Sequence, residues 1–454
     1  MKKYILTIGN SALSVISSTV IVLPFMFFLR ISGTHTVLSV LPFVIFYTLR
    51  TTGIFLIRGI KTSLNSASLL KVSLYVGTLG SIFGIIGSFF PELYMTSAFF
   101  MGLSAAWLPT ANTSINFLNI KNNLLLAKNK YFTILTLILI GYILFIPSKN
   151  SFIIFFVFYT CLYLIAIMTL STINQYAVDS HDLESYSYRY LGLFVVFFVL
   201  IFSLRSSRLL KNIMQFDYFI WGSLFLAIIL IVSKLFFNRS PQRNVPNLLS
   251  YISIINGALG NYLFLFASLY VAGYYGHHDL FNRFYIPYVI GIVTAPIINK
   301  VLVKNNQHTI FIILFVGLIM MLFRPLFSWG VLSLSITKGC LNLKLNQIYM
   351  RQNKLPSDKR IWVKNTIQST GSIIYQFIIM ITGSLIVSDN NNSIKELLDV
   401  TSQKIPSSYS RGLMIDWNHV TTTILLIMVI FYYFFLLRNI YQSKKMKSDN
   451  SLRR

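Results

Sequence analysis

The sequence predicts an all-α polytopic membrane protein, and three observations carry that reading. Apolar residues fill long runs, charge is scarce inside them, and Lys and Arg gather in alternate connections. Of 454 residues, 55% are hydrophobic, 15% aromatic and only 11% charged. A soluble domain carries about 25% charged residues, because a water-facing surface must be polar. An apolar stretch of about 20 residues crosses the hydrocarbon core. Backbone groups there have no water to bond, so each spanning segment satisfies them internally as a helix. The short alternating segments of a barrel are missing.

Fourteen candidate spans run near 5–29, 35–57, 72–90, 94–115, 131–147, 151–172, 188–204, 218–236, 250–275, 284–302, 309–323, 325–340, 369–387 and 420–437. The first follows Lys2 and Lys3 like a signal peptide. It exceeds an h-region in length, lacks an Ala-x-Ala exit and is followed at once by another span, so it reads as a retained helix. Pro91-Glu92-Leu93 and Pro147-Ser148-Lys149-Asn150 read as tight turns between antiparallel helices. The third span carries Gly77, Gly80, Gly84 and Gly87, small residues that let a neighbouring backbone approach closely. Pro24, Pro42, Pro109, Pro287 and Pro296 lie inside spans, where each frees a carbonyl and bends its helix. The 173–187 break, with Asp179, His181, Asp182 and Glu184, divides six spans from eight. The segments 341–368 and 388–419 read as the long loops, and Ile394, Leu397 and Leu398 mark one face of a short surface helix in the second.

The net charge is +26. With a cytoplasmic N-terminus and fourteen spans, the cytoplasmic side collects 26 of the 38 Lys and Arg residues, the opposite side collects 10, and Arg50 and Lys338 lie within spans. That asymmetry is the positive-inside rule; it predicts a multi-pass protein of the plasma or inner membrane with both termini cytoplasmic. Arg205, Arg208 and Lys211 depart from it. Polyanion affinity would want bases gathered on one surface, so no nucleic-acid partner is expected. Cys161 and Cys340 lie in separate spans without CxxC spacing, so neither a disulfide nor a zinc site is expected. The reading includes no cofactor and no metal.

Residues 69–113 carry a more specific pattern. Leu69-Leu70-Lys71-Val72 opens the glycine-spaced span, which ends at Phe90-Pro91-Glu92-Leu93. Phe100-Met101-Gly102-Leu103-Ser104-Ala105-Ala106-Trp107-Leu108-Pro109 follows. This resembles spans 3 and 4 of the major facilitator superfamily. Upstream, Gly53-Ile54-Phe55-Leu56-Ile57-Arg58-Gly59-Ile60-Lys61 resembles that family's signature loop, with Ile57 at its aspartate and Ile60 at its second glycine. Tyr188-Arg189-Tyr190-Leu191-Gly192-Leu193, Leu269-Tyr270-Val271-Ala272-Gly273-Tyr274-Tyr275-Gly276 and Leu355-Pro356-Ser357-Asp358-Lys359-Arg360 are similar to segments of its fourteen-span drug:proton antiporter branch. The resemblance implies two six-helix bundles (1–187 and 250–454) around a central cavity, with two extra helices in 188–249, and alternating access through rocking of the bundles. The antiport motif of span 5 has no counterpart beyond Gly141, the arginine four residues before Gly102 is Ala98, and span 1 holds no acid.

Candidate functional residues follow from polarity inside apolar runs. Arg50 stands about two helical turns from the cytoplasmic end of its span. A charge at that depth costs several kcal/mol unless it snorkels, pairs or faces water. Two readings stay open: its stem reaches the headgroups, or its guanidinium binds an anion through paired hydrogen bonds. Asn112, Asn256, Asn261, Gln368 and Gln376 join it as candidate substrate-binding residues, alongside Thr19 and Asn116. Each could equally bond a neighbouring helix, which contributes about 0.6–2 kcal/mol in membranes. Tyr262, Tyr375 and Trp107 are candidate ring-stacking residues. Gly53, Arg58 and Lys61 are the candidate inner gate, and ordinary headgroup anchoring explains the two bases equally well. His277, His278 and Asp279 form the candidate proton-coupling cluster, since histidine titrates near neutrality.

The expected function is secondary transport of a small organic solute, anionic or zwitterionic because no span carboxylate neutralises Arg50. A proton gradient is the candidate energy source, and efflux is the family's usual direction. The protein is not expected to be an enzyme. A membrane-embedded glycan polymerase or acyltransferase is the alternative, with Arg411, Asp416 and His419 as its material but no paired carboxylates. A transporter-derived receptor or assembly factor that moves no cargo is the other.

Overall fold

A computed structural model describes residues 2–31, 37–60, 64–121, 127–145, 150–172, 188–206, 221–222, 225, 245–303, 308–389 and 407–451. Regular structure among these described residues is helical throughout. The chain divides into two compact units, Met1–Lys211 with Leu355–Thr366, and Asn212–Lys354 with Ile367–Arg454.

The first unit contains α1 (Lys2–Thr19), α2 (Leu23–Ile31), α3 (Val37–Gly59), α4 (Ser66–Gly87), α5 (Leu93–Lys121), α6 (Lys130–Phe145), α7 (Asn150–Ile167) and α8 (Tyr188–Ser206). The first expected span is broken: α1 and α2 meet at 52°. Pro24 at the start of α2 has no N–H to give and its ring crowds the carbonyl four residues back. Ser18 and Thr19 add to the bend by bonding back to the Val15 carbonyl at 2.8 and 2.9 Å, a pattern that loosens the helical ladder.

The four glycines of α4 serve two neighbours. A Cβ on Gly77 or Gly84 would strike Tyr163 or Phe156 of α7, and one on Gly80 or Gly87 would strike Met101 or Tyr94 of α5. Positions seven apart fall on one side of a helix, so alternate glycines form two contact stripes. Hydroxyls fasten the α4–α5 seam: Ser97 donates to the Gly80 carbonyl at 2.7 Å and Ser104 to that of Ser73 at 2.9 Å. The segment of the expected central pair that is described, α8, packs on α3, where a Cβ at Gly59 would lie 2.6 Å from the Leu191 nitrogen. Its partner span, 218–236, lies almost wholly outside the described residues, as do Lys61, the 173–187 break and Ile394, Leu397 and Leu398.

Residues 355–366 complete the first unit. The Asp358 carboxylate accepts from the Ser66 backbone N–H at 3.2 and 3.1 Å, at the start of α4. A carboxylate there also meets the positive end of the helix dipole. The Trp362 indole donates to the Ser66 hydroxyl at 3.0 Å, Lys359 donates to the Leu64 carbonyl, and its ammonium stands 3.8 Å from the Trp362 ring centroid.

The second unit holds α9 (Asn247–Asn261), a π-helical stretch (Tyr262–Ala267), α10 (Ser268–Tyr274), α11 (Ile286–Ile298), α12 (His308–Leu322), α13 (Phe327–Met350), most of α14 (Arg360–Asp389) and α15 (Ser408–Ser451). The loop expected over 341–368 is mostly helix, since α13 runs on to Met350 and α14 begins at Arg360. Asn342, Lys344 and Asn346 make that stretch look like a loop, but Leu341, Leu345 and Tyr349 recur every four residues and are buried. α15 likewise begins well before 420, with Leu413, Met414 and Trp417 buried.

Seven described helices are long and apolar enough to cross a membrane, or eight if the α1–α2 pair is one span. α6, α8 and α12 are apolar but shorter. α5 and α13, at 29 and 24 residues, are long enough to span but are interrupted by Ser, Thr, Asn and, in α13, Lys. The protein is therefore an all-helical chain of polytopic membrane character.

The closest backbone approach tests this packing. A Cβ on Gly257 of α9 would lie 1.9 Å from the Gln368 carbonyl oxygen, whereas one on Gly141 meets nothing within 4 Å. Gly257→Ala is expected to lower stability by about 3 kcal/mol, the upper end of overpacking costs. Gly141→Ala should be neutral or stabilise by up to about 1 kcal/mol through helix propensity. Thermal unfolding of both variants in detergent checks the contrast.

Candidate functional site

Polar side chains inside the first unit converge on a recess. α1 supplies Asn10, Leu13 and Ser14, which share one face at helical spacing. α5 supplies Asn112 and Asn116, and the segment entering α6 supplies Lys128; together they line a recess of about 10 Å³, room for about one water. Ser11 holds the segment in place, its hydroxyl accepting from the Asn129 N–H at 2.7 Å. The Asn10 amide donates to the Ala127 carbonyl at 3.4 Å, Lys128 donates to the Ser14 hydroxyl at 3.0 Å, and Asn116 donates to Asn112 at 3.3 Å. Asn10 Oδ1 is sealed from solvent and accepts no hydrogen bond among the described residues. Lys128 is exposed as a whole residue, yet desolvation around its ammonium draws its pKa below the ordinary lysine value. The recess thus offers amides, a hydroxyl and one ammonium, with no carboxylate, around a space about the size of one water.

The other expected residues divide between the units. Arg50 is half-buried within α3, and its Nη1 is sealed from solvent. Gly53 accepts from the Trp107 indole at 2.9 Å, and α5 comes so near that a Cβ there would lie 2.9 Å from that of Ala106. Arg58 lies 4.0 Å over the Tyr190 ring, so aromatic stacking on α8 holds the one described base of the expected inner gate. Thr19 bonds the Tyr159 hydroxyl at 2.9 Å and acts as a helix tether.

In the second unit Asn256 is fully buried on α9, and neither amide atom finds a hydrogen-bond partner among the described residues. Gln368 presents its backbone carbonyl to neighbouring Gly257, and its own Oε1 is buried and accepts no hydrogen bond among the described residues. Asn261 differs: it donates to the Ser372 carbonyl at 2.5 Å and ties α9 to α14. Gln376 is 2% exposed on α14. Tyr262 and Tyr375 are core residues bonded to α15, through the Thr422 hydroxyl at 2.6 Å and the Thr421 carbonyl at 2.7 Å.

The expected coupling cluster sits at a turn that Gly276 makes with φ 102°, in the left-handed region. His277 and Asp279 bound the short helix after it, and His278 is exposed. Asp279 pairs with Arg283 at 3.0 Å, and Arg283 lies 4.0 Å over Tyr275. Arg411, Asp416 and His419 are exposed on α15. Among the described residues no three His, Cys, Asp or Glu side chains are grouped to hold a metal.

Sequence reasoning passed over Asn10, Ser14 and Lys128 as a set, because two lie in an apolar run and the third in a loop. It also undervalued Lys338. A span ending at 340 puts that residue at the membrane edge, whereas α13 continues to Met350 and places it mid-helix. The periodic Leu341, Leu345 and Tyr349 were the signal that could have found it. The chain matches no protein-family model and no curated protein.

The recess yields a direct test. A lowered pKa leaves more of Lys128 as the neutral, nucleophilic amine at a given pH. Its acylation, followed by peptide mass spectrometry, is expected to reach half-maximal rate at lower pH than that of a lysine model peptide. A midpoint at or above the peptide's would contradict the desolvated geometry.

Proposed function

We propose that the protein is a secondary active transporter of a small organic anion or zwitterion, working by alternating access in a major-facilitator-like, fourteen-span arrangement of the plasma or inner membrane. The observation that carries this reading is Asn256, whose amide is fully buried yet makes no hydrogen bond among the described residues. Leaving a buried polar group unpaired costs about 1–3 kcal/mol. A molecule entering the interior can complete such a group. Arg50 within α3 supports the same class of cargo. Efflux is the direction the resemblance implies.

Uptake by proteoliposomes tests the proposal. Radiolabelled organic anions and cationic dyes are presented with and without a pH gradient. Anions are expected to move, with Arg50→Ala reducing the rate at least about tenfold, or about 1.4 kcal/mol, and Arg50→Lys retaining most of it. Wild-type rates for Arg50→Ala remove the guanidinium from the account. Gradient-driven dye efflux without anion movement replaces the anion reading with cationic drug export.

A further inference from the structure

The second unit carries a cation deep within a helix. Lys338 is the middle of α13, whose 24 residues extend about 36 Å, more than the hydrocarbon core. Among the described residues no carboxylate stands within 4.0 Å of its ammonium. Sequence explains why: between Asp217 and Asp358 the only acidic residue is Asp279, and Arg283 holds it. Lys338 instead has the Tyr288 ring of α11, with the centroid 5.8 Å from Nζ. That contact is at the edge of cation–π range, and among the described residues the N–H donors of the ammonium have no acceptor.

The ammonium lies across α9 at Gly260. A Cβ there would stand 3.1 Å from Lys338 Cε and 3.2 Å from Nζ, so the missing side chain makes room for the lysine. Asn256 is one turn earlier on the same face of α9. Ser253, another three residues back on that face, bonds the Tyr349 hydroxyl of α13 at 3.0 Å. Asn256 therefore stands between two contacts that α9 makes with α13. Its Nδ2 and Oδ1 are both buried and unpartnered.

We infer that Lys338 and Asn256 form the binding site for the cargo's carboxylate, and that the cargo is a small hydroxy- or amino-carboxylate. This deepens the transport reading and rests on it for the word cargo, while the site itself stands on geometry. The carboxylate takes charge-assisted hydrogen bonds from the ammonium and from Asn256 Nδ2. Asn256 Oδ1 then needs a donor, which a neighbouring hydroxyl or amine on the same molecule supplies. Tyr288 covers the ammonium from the α11 side. A lone carboxylate would leave the amide oxygen unmet, and an organic cation would be repelled.

Calorimetric titration of the full-length protein tests this, in nanodiscs of zwitterionic lipid so that no anionic headgroup competes. L-lactate, L-serine, L-glutamate and citrate are the probes, with choline as the cationic control. Saturable binding of at least one carboxylate is expected, weakened at least tenfold in Lys338→Gln, weakened severalfold in Asn256→Ala and largely kept in Lys338→Arg. Choline gives no binding. Lys338→Met, read by thermal unfolding, is expected to raise the midpoint, because it removes a charge that serves binding rather than folding. Failure of every carboxylate to bind wild type, undiminished binding by Lys338→Gln, or a large fall in the Lys338→Met midpoint would overturn the inference. Lysine-dependent binding in a protein that moves no solute in proteoliposomes would leave the site standing and defeat the transport reading alone.

Discussion

Scarcity of negative charge governs this molecule. From Met1 to Val178 the only acidic residue is Glu92, and from Tyr218 to Ser357 the only one is Asp279. Cations in the interior therefore find other partners. Arg58 uses the Tyr190 ring at 4.0 Å and Lys338 the Tyr288 ring at 5.8 Å, whereas Lys359 has the Asp358 carboxylate at 3.4 Å as well as the Trp362 ring and the Leu64 carbonyl. Ring contacts of this kind contribute about 0.5–2 kcal/mol each, less than the several kcal/mol that a charge at depth costs.

Packing makes room for these groups by removing side chains. Lipid offers helices no hydrophobic contrast, so association rests on close backbone approach and on interhelical hydrogen bonds. Gly257 and Gly371 bring α9 and α14 together, each nearly touching backbone of the other helix. Asn261 then bonds across that seam. Four residues along α9 from Asn256, Gly260 leaves space for a lysine rather than a backbone. One small-residue helix thus supplies both a structural weld and a polar lining. Among the described residues the buried acidic group, Asp358 at 2% exposed, works at a helix N-terminus and pairs with Lys359 at 3.4 Å.

Much of the fold was legible in the sequence, because periodic apolar runs and Pro or Gly punctuation respond to local physics. The break at Pro24 and the alternating glycine stripe of α4 followed from residue type alone. Helix ends were not legible where polar residues occupy one face of a helix otherwise buried, as in Leu341–Tyr349. That error concealed the depth of Lys338. Of the candidate polar residues, Asn256 is buried without a hydrogen-bond partner among the described residues and Asn112 accepts from Asn116, whereas Asn261, Tyr262 and Tyr375 are helix tethers. A sequence cannot separate these cases, since an amide in an apolar run looks the same whether a carbonyl meets it across the seam or nothing does.

The most direct measurement is charge movement on a solid-supported membrane bearing the purified protein in proteoliposomes. Concentration jumps of lactate or citrate are predicted to evoke saturable currents of the sign expected for anion entry, with none from choline. Currents evoked by organic cations, with silence towards every carboxylate, would contradict the claim that this acid-poor interior is built to receive negative charge.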